Sequence, residues 1–152
     1  MMIKTIRLRK TGIVMLVLVI AAVVLAGVLA AVSIGSAGRD GTQISTEAQR
    51  QAFLKRMGWS TGEKFLEKKT VTIPETFTEV YINYNKLQKQ QGFDLTKHKG
   101  EKAVIYTYQV KNYPDRKNDD SIVCHLMSVD GQLIGGDVCS TSPEGFMQGL
   151  RR

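Results

Sequence analysis

Residues 122–140 of the chain read IVCHLMSVDGQLIGGDVCS. Two runs of mostly apolar and β-branched residues flank Asp130 and Gly131, a pair that favours the tight turn of a β-hairpin. Because such a turn joins neighbouring strands that run in opposite directions, the stretch predicts an antiparallel sheet. Gly135 and Gly136 lie inside the second run and indicate a bulge or a close backbone approach. The predicted strands are residues 122–129 and 132–140.

The residues before and after this hairpin supply the rest of a small domain. Thr46 and Gln49 have the spacing of a capping box, which predicts a helix that begins near Thr46. Proline is tolerated in the first turn of a helix, so a second helix is predicted from Pro74 to a glycine cap at Gly92. The other predicted elements are strands at 65–73 and 103–110 and a short final helix at 142–150. This order indicates an α+β domain over residues 45–152, with helices packed on one face of the antiparallel sheet.

Both predicted helices carry apolar residues at the spacing of one buried face. In the first helix these residues are Ala48, Ala52, Phe53 and Met57. In the second helix they are Phe77, Val80, Tyr81, Tyr84 and Leu87. Trp59 is the only tryptophan of the chain, and we expect it to lie in the core.

An uncharged apolar segment lies near the N-terminus. Residues 13–34 carry no charged side chain, and four basic residues precede Thr11. As a helix, this segment would extend for roughly 33 Å, which matches the roughly 30 Å hydrocarbon core of a bilayer. Positive charge beside a span favours the cytoplasmic side. The sequence therefore predicts a cytoplasmic tail at 1–10, a transmembrane helix at 11–34, a flexible stalk at 35–44 and an extracytoplasmic domain at 45–152.

A cleaved signal peptide is the alternative interpretation of the same segment. Gly35-Ser36-Ala37 offers small residues of the kind found at cleavage sites, and a basic region comes first. The apolar run is longer than the roughly 7–15 residues usual in signal peptides, which favours an uncleaved anchor. Both interpretations place the C-terminal part outside the membrane.

The charge of the chain does not indicate a nucleic-acid-binding protein. The chain has 21 basic and 14 acidic residues, and the 17 basic residues that follow the N-terminal tail exceed the acidic ones by three. A nucleic-acid interface would need positive charge clustered on one face, whereas lysines and glutamates are interspersed here. The predicted partners are the lipid bilayer, through residues 11–34, and a protein, peptide or cell-envelope ligand.

Two stretches of the chain carry a family resemblance. They are YNKLQKQQGFDL at 84–95, with KG at 99–100 and YTY at 106–108, and VDGQLIGGD at 129–137, with GFM at 145–147. These stretches resemble an uncharacterised bacterial family, domain of unknown function number 4830, which is typical of Gram-positive anaerobes. The resemblance covers most of residues 46–150 and implies a small membrane-anchored bacterial protein. The family has no assigned catalytic residues, so the resemblance implies no known activity.

Cys124 and Cys139 are the only cysteines of the chain. Opposed strand positions would bring them together, and an oxidising exterior would then favour a disulfide. Such positions often give poor disulfide torsions, so the bonded and the free state both stay open. Cys124 and His125 are strand neighbours whose side chains point to opposite faces, so they cannot form a nucleophile–base pair. A zinc site needs more ligands than the two cysteines, and the chain has only two histidines, His98 and His125, to add to them, so we predict no zinc site. We also predict no cofactor.

Asp137, Tyr84 and Tyr108 are the candidate binding contacts. Asp137 follows the glycine pair, and the two tyrosines belong to a set that either lines a groove or fills the core between helix and sheet. The sequence favours a non-enzymatic, membrane-anchored binding domain, because a strong anchor is combined with the absence of hydrolase motifs from the exported part. The alternative is an enzyme that acts on envelope material and uses Asp137 or Cys139 near the glycine pair.

Overall fold

A computed structural model describes residues 41–143 and 145–152 of the chain. Five antiparallel strands form one sheet, in which they lie side by side in sequence order. The elements are α1 (Glu47–Arg56), β1 (Glu67–Thr72), α2 (Glu79–Gln90), a 3₁₀ helix (Leu95–His98), β2 (Lys102–Gln109), β3 (Ile122–Val129), β4 (Gln132–Ser140) and β5 (Met147–Gln148). This architecture confirms a small α+β domain with an antiparallel sheet.

β3 and β4 form the predicted hairpin with the predicted bounds. Asp130 and Gly131 have φ angles of 48° and 79°, and both central residues of a type I′ turn need positive φ. The register shifts between Met127 and Ser128, where Ile134 is the extra residue of a bulge. The bulge lies next to the glycine pair and determines which β4 side chains share a face with those of β3.

The strand register divides the side chains between two faces of the sheet. His125 of β3 pairs with Asp137 of β4 and with Thr107 of β2. Tyr108 of β2 pairs with Cys124 of β3. Because successive residues of a strand point to opposite faces, these two groups lie on opposite sides of the sheet. We call the two sides the His125 face and the Tyr108 face.

α1 packs on the Tyr108 face. Thr46 and Gln49 form the predicted capping box, in which the Gln49 backbone N–H donates to Thr46 Oγ1 at 3.2 Å. The core under α1 contains Trp59, as predicted, and its other large buried side chains include Phe53, Leu54, Tyr106, Tyr108, Leu126 and Leu150.

The predicted buried stripe of α1 is wrong in two positions. Ala48 and Ala52 are exposed, and Arg50 is buried with Phe53 instead. The guanidinium of Arg50 lies 3.9 Å from the centroid of the Tyr106 ring, and these partners are far apart in sequence. An apolar helical pattern does not predict a buried arginine. The guanidinium of Arg50 is satisfied by the Tyr108 hydroxyl together with local acceptors at Ile44, Ser45 and Glu47.

α2 packs on the His125 face, so the prediction of helices on one face is wrong. The Tyr84 hydroxyl of α2 donates to Asp137 Oδ1 at 2.8 Å, whereas Arg50 of α1 donates to the hydroxyl of Tyr108. An amphipathic pattern shows that a helix has a buried side but does not show which face of the sheet receives it. The sheet is therefore the middle layer between two helices.

α2 begins later than predicted. Its N-cap is Thr78 rather than a residue before Pro74. The preceding Ile73 is still paired with the sheet, since its backbone N–H donates to the Glu101 carbonyl at 3.0 Å. Gly92 follows the end of the helix with a φ of 88°, as the predicted glycine cap requires.

The predicted apolar stripe of α2 is confirmed only in part, because Phe77 and Tyr84 pack against the core while the most buried residues of α2 are polar. Its buried residues are Asn85 and Gln88, and Val80 is 76 % exposed. The side chain of Asn85 accepts a hydrogen bond from the Leu95 backbone N–H at 2.8 Å. The polar side chain of Asn85 is therefore tolerated in the interior, because its oxygen is the hydrogen-bond partner of a backbone N–H that has no backbone acceptor.

The ends of the described domain also differ from the prediction. Thr42 accepts a backbone hydrogen bond from Leu133 at 2.8 Å, and Ile44 donates one to Gly131 at 2.8 Å. Residues 42–44 therefore belong to the domain and not to the stalk. The predicted final helix is absent from the described residues of this segment, where β5 pairs with Val138 and Cys139 of β4.

None of the helices within residues 41–143 and 145–152 has the length and apolarity needed to cross a membrane. The predicted cytoplasmic tail at 1–10, the transmembrane helix at 11–34 and the stalk up to residue 40 lie outside the described residues. The membrane topology therefore stays a prediction from the sequence.

Candidate functional site

A cavity of about 460 Å³ lies between α2 and the His125 face of the sheet. Its apolar lining includes Val71, Ile73, Leu95, Ile105 and Met127. Its polar lining includes Tyr84, His125 and Asp137, and the exposed residues at its opening are Glu67, Lys69 and Val80. A mostly apolar cavity with a few convergent polar groups is the usual form of a binding site.

His125 and Asp137 form a cross-strand ion pair in the wall of this cavity. His125 Nδ1 lies 3.0 Å from Asp137 Oδ2, and the side chains are 28 % and 3 % exposed. Burial acts to lower the pKa of His125, but hydrogen bonds to Asp137 and Cys139 outweigh burial and raise this pKa to about 10. His125 is therefore an imidazolium at neutral pH.

Tyr84 holds the other oxygen of the Asp137 carboxylate, to which its hydroxyl donates at 2.8 Å. Burial, followed by the negative charge of Asp137, raises the pKa of Tyr84 well above its usual value, so the hydroxyl stays protonated. Two glutamines attach α2 to β4 nearby. Gln88 Oε1 accepts the Gly136 backbone N–H at 2.9 Å, and Gln91 Nε2 donates to the Gly136 carbonyl at 2.9 Å. These contacts fix the height of Tyr84 above the sheet.

Cys139 completes a cluster with this ion pair. It lies two residues beyond Asp137 on β4, and residues at this spacing share a face. Cys139 Sγ lies 3.9 Å from His125 Nδ1. One nitrogen, one carboxylate oxygen and one sulfur therefore lie within 4.8 Å of one another, as the donor atoms of a metal site do.

The disulfide that the sequence leaves open is not formed, and both cysteines are free. Cys124 pairs with Val138 while Cys139 pairs with Val123, so the two thiols lie on opposite faces of the sheet. The bulge shifts the pairing of β4 against β3 by one residue. A shift of one further residue would be needed to place Cys139 directly opposite Cys124. Burial raises the pKa of Cys124 well above its usual value, so this thiol stays neutral in the core.

The cluster contains the residue types of a catalytic triad without the connections of one. In a triad the nucleophile contacts one ring nitrogen of the histidine and the carboxylate contacts the other. Here Cys139 Sγ and Asp137 Oδ2 both approach Nδ1 of His125. The arrangement suits an ion pair or a bound cation better than a proton relay.

Residues 53–138 match the family described as Domain of unknown function (DUF4830), which covers more than half of the chain. The chain belongs to this family. No curated protein and no solved structure matches it. The part matched by DUF4830 contains Tyr84, His125 and Asp137 and ends one residue before Cys139.

The three predicted binding contacts of this DUF4830 domain do not lie together. Tyr84 and Asp137 line the cavity. Tyr108 lies on the opposite face with no exposed surface, where its hydroxyl accepts from Arg50 Nε at 2.8 Å and donates to Glu47 Oε1 at 2.8 Å. Tyr108 is therefore a core residue under α1 and is not available to a ligand.

Sequence analysis does not single out His125 as a site residue of the DUF4830 domain. The pairing of His125 with Asp137 depends on the bulge at Ile134, and hairpin turn chemistry alone does not reveal that bulge. The sequence does indicate that Asp137 and Cys139 lie on the same face of β4, because residues at positions i and i+2 of a strand share a face.

Proposed function

We propose that this DUF4830 protein is a single-pass membrane protein whose described domain binds an extended peptide segment of a partner protein. The observation that carries the proposal is the cavity between α2 and the His125 face, which opens beside the terminal strand of the sheet. A peptide that adds to a sheet edge gains main-chain hydrogen bonds, while pockets beside the edge select its side chains.

The free edge of β1 is the support for an extended peptide. β1 is the terminal strand of the sheet, and within residues 41–143 and 145–152 no strand pairs with its outer edge. Glu67, Lys69 and Val71 of β1 also line the cavity, so edge and cavity are contiguous. Lysines at positions 68 and 69 oppose pairing of this edge with a second copy of the domain, because like charges would meet.

The lining of the cavity favours a large apolar side chain beside an acceptor oxygen. The strand side of the cavity has an apolar surface beside its polar groups, formed by Val71, Ile105 and Met127. Val80 at the opening is 76 % exposed and gains burial when a ligand covers it. His125 uses Nδ1 for Asp137, which leaves the Nε2–H of the imidazolium as a donor to a carbonyl or carboxylate. The partner segment that fits is apolar at one position and carries an oxygen acceptor next to it.

Selection of short random peptides from a display library, against the full chain in lipid nanodiscs, tests the peptide site. We expect enriched peptides to lose affinity by about tenfold or more, or about 1.4 kcal/mol, in Val80→Glu, which places a charge at the cavity opening. Met147→Glu is the matched control, because Met147 is an exposed apolar residue on β5 at the other edge of the sheet.

Two results would overturn the peptide site. One is equal binding of the enriched peptides to the wild type and to Val80→Glu. The other is failure to enrich any peptide while dansyl-undecanoic acid, a small amphiphile, binds in a way that Val80→Glu abolishes, since the occupant would then be a small molecule.

The membrane part of the proposal is supported by the uncharged residues 13–34 and the basic residues before them. Protease added to intact cells should remove an epitope tag placed after Arg152. Survival of the tag in intact cells, with its loss after permeabilisation, would contradict an exposed C-terminal domain.

The second candidate is an enzyme that acts on envelope material through Asp137 or Cys139. The observation that favours it is the proximity of Cys139, His125 and Asp137. Turnover of peptidoglycan fragments or peptide esters that Cys139→Ser abolishes, with the fold intact, would replace the binding function by this one.

A further inference from the structure

We propose that His125, Asp137 and Cys139 bind one divalent transition-metal ion of the zinc class. A ring nitrogen of His125, a carboxylate oxygen of Asp137 and Sγ of Cys139 lie within 4.8 Å of one another. Nδ1 is the ring nitrogen that faces both Asp137 Oδ2 and Cys139 Sγ. The site goes beyond peptide binding, because Cys139 takes no part in the proposed peptide site.

The two distances from His125 Nδ1 to the other donor atoms are close to those around a tetrahedral ion. Zinc bonds of roughly 2.0–2.1 Å to nitrogen or oxygen and roughly 2.3 Å to sulfur place the donors of a tetrahedral site roughly 3.3–3.7 Å apart. Nδ1 of His125 lies 3.0 Å from Asp137 Oδ2 and 3.9 Å from Cys139 Sγ. The carboxylate oxygen of Asp137 and Sγ of Cys139 lie within 4.8 Å of each other, so rotation of these two side chains by up to about 1 Å brings all three donors around one ion.

The donor set selects the class of ion. Imidazole and thiolate favour zinc, cobalt and similar ions, whereas magnesium and calcium favour oxygen donors alone. Three protein donors leave one position of a tetrahedral ion to water, which is the form of an open zinc site. When the ion binds, the thiol proton of Cys139 and the proton on His125 Nδ1 are released to solvent, so the donors become thiolate and neutral imidazole.

The surroundings support the donors in the way that metal sites require. All three donors lie on adjacent strands near the centre of the sheet, so their positions are fixed by the ladder. The Tyr84 hydroxyl holds Oδ1 of Asp137 at 2.8 Å and turns Oδ2 toward His125, as an outer hydrogen bond orients a ligating carboxylate. His125 and Asp137 line the cavity, which gives the ion a path from solvent.

Cobalt titration of the purified full chain in detergent micelles, after treatment with a chelator, tests the site. We expect one Co²⁺ per chain, displaced by Zn²⁺, with a sulfur-to-cobalt charge-transfer band. Cys139→Ser should abolish the band, and His125→Gln should weaken binding by about tenfold or more. Tyr84→Phe keeps all three donors and should weaken binding by roughly tenfold.

Two matched controls use residues outside the cluster. His98→Gln removes the other histidine, which is paired with Glu101, and Cys124→Ala removes the cysteine on the opposite face. Both variants should bind Co²⁺ like the wild type. The proposal is overturned if the wild type binds no Co²⁺, if the band survives in Cys139→Ser, or if His98→Gln weakens binding as much as His125→Gln.

The metal site and the peptide site can be tested independently of each other. Val80→Glu should lose peptide affinity and keep Co²⁺ binding, and Cys139→Ser should do the reverse. If His125→Gln does not fold by circular dichroism, Cys139→Ser and Tyr84→Phe still decide the metal site, since both substitutions preserve the shape of the side chain.

Discussion

Gln88 of α2 accepts a hydrogen bond from the backbone N–H of Gly136 in β4, with an Oε1–N distance of 2.9 Å. β5 pairs with β4 only at Val138 and Cys139, so this helix side chain takes the place of a neighbouring strand at Gly136. The Gln88 amide oxygen thereby satisfies a backbone group at the edge of the sheet, while Nε2 of the same fully buried side chain has no hydrogen-bond partner among the described residues.

Replacing Gln88 by leucine should destabilise the domain because it removes the acceptor and leaves a buried N–H without a partner. We expect a loss of about 1–3 kcal/mol in the free energy of unfolding, measured by urea denaturation. Gln90→Leu, at an exposed position of the same helix, is the control and should change stability little. Equal effects of the two substitutions would contradict the role of Gln88 at the sheet edge.

Gly136→Ala should also be destabilising. A Cβ atom at this position would overlap the carbonyl oxygen of His125 and press on the side chain of Leu150. Overpacking of this kind usually costs about 1–3 kcal/mol, and the loss should appear as a lower urea midpoint. At Gly62 the nearest atom to an added Cβ is the Lys64 carbonyl oxygen at 3.5 Å, so Gly62→Ala is the control. Unchanged stability of Gly136→Ala would show that the strands can move apart here.

Tyr108→Phe should weaken the core under α1. The Tyr108 hydroxyl joins the buried guanidinium of Arg50 to the carboxylate of Glu47. Its removal leaves a charged donor without one of its partners, and we expect a loss of about 1–3 kcal/mol in the free energy of unfolding. Tyr81→Phe is the control, because among the described residues its hydroxyl makes no hydrogen bond. An equally small change in the free energy of unfolding for both substitutions would contradict this role of the Tyr108 hydroxyl.

The ion pair of His125 predicts a pH dependence of stability. The pKa of His125 is raised from 6.5 to about 10 in the folded domain, so the imidazolium stabilises the fold. This stabilisation is fully present below about pH 6.5, where the unfolded chain is also protonated, and is lost as the pH rises toward about 10.

The measurement for this prediction is the difference in unfolding free energy between the wild type and His125→Gln, taken at intervals of pH with a chelator present. We expect the difference to be largest in acid and to decrease as the pH rises through the range from neutral to about 10. Parallel stability curves for the two proteins would show that His125 gains no proton affinity on folding.

The parts of the fold that the sequence predicts well depend on local chemistry. Asp130 and Gly131 specify a turn through their own φ preferences, and the bounds of β3 and β4 follow from it. The buried face of α1 is mispredicted in part because Arg50 donates to the hydroxyl of Tyr108, which is 58 residues away, and lies over the ring of Tyr106. Such a partner cannot be read from a helical pattern.

The candidate site is only partly visible in the sequence for the same reason. Asp137 is singled out by the neighbouring glycines, and Tyr84 by its place in a helical stripe. His125 joins them through the register of β3 against β4, which one extra residue at Ile134 sets. The one extra residue in β4 determines which side chains of β3 and β4 meet, and the residue type at that position does not indicate a bulge.

The attachment of residues 42–44 to the hairpin has a mechanical consequence. Tension applied to the chain before residue 41 first reaches the Thr42–Leu133 and Ile44–Gly131 backbone hydrogen bonds, at the tip of the β3–β4 hairpin. The Ile44 carbonyl also accepts from Arg50 of α1, and the Ile44 side chain is buried in the core, so the Tyr108 face is loaded next. A pull on the N-terminal side would therefore peel the domain from its turn before it disturbs the cavity.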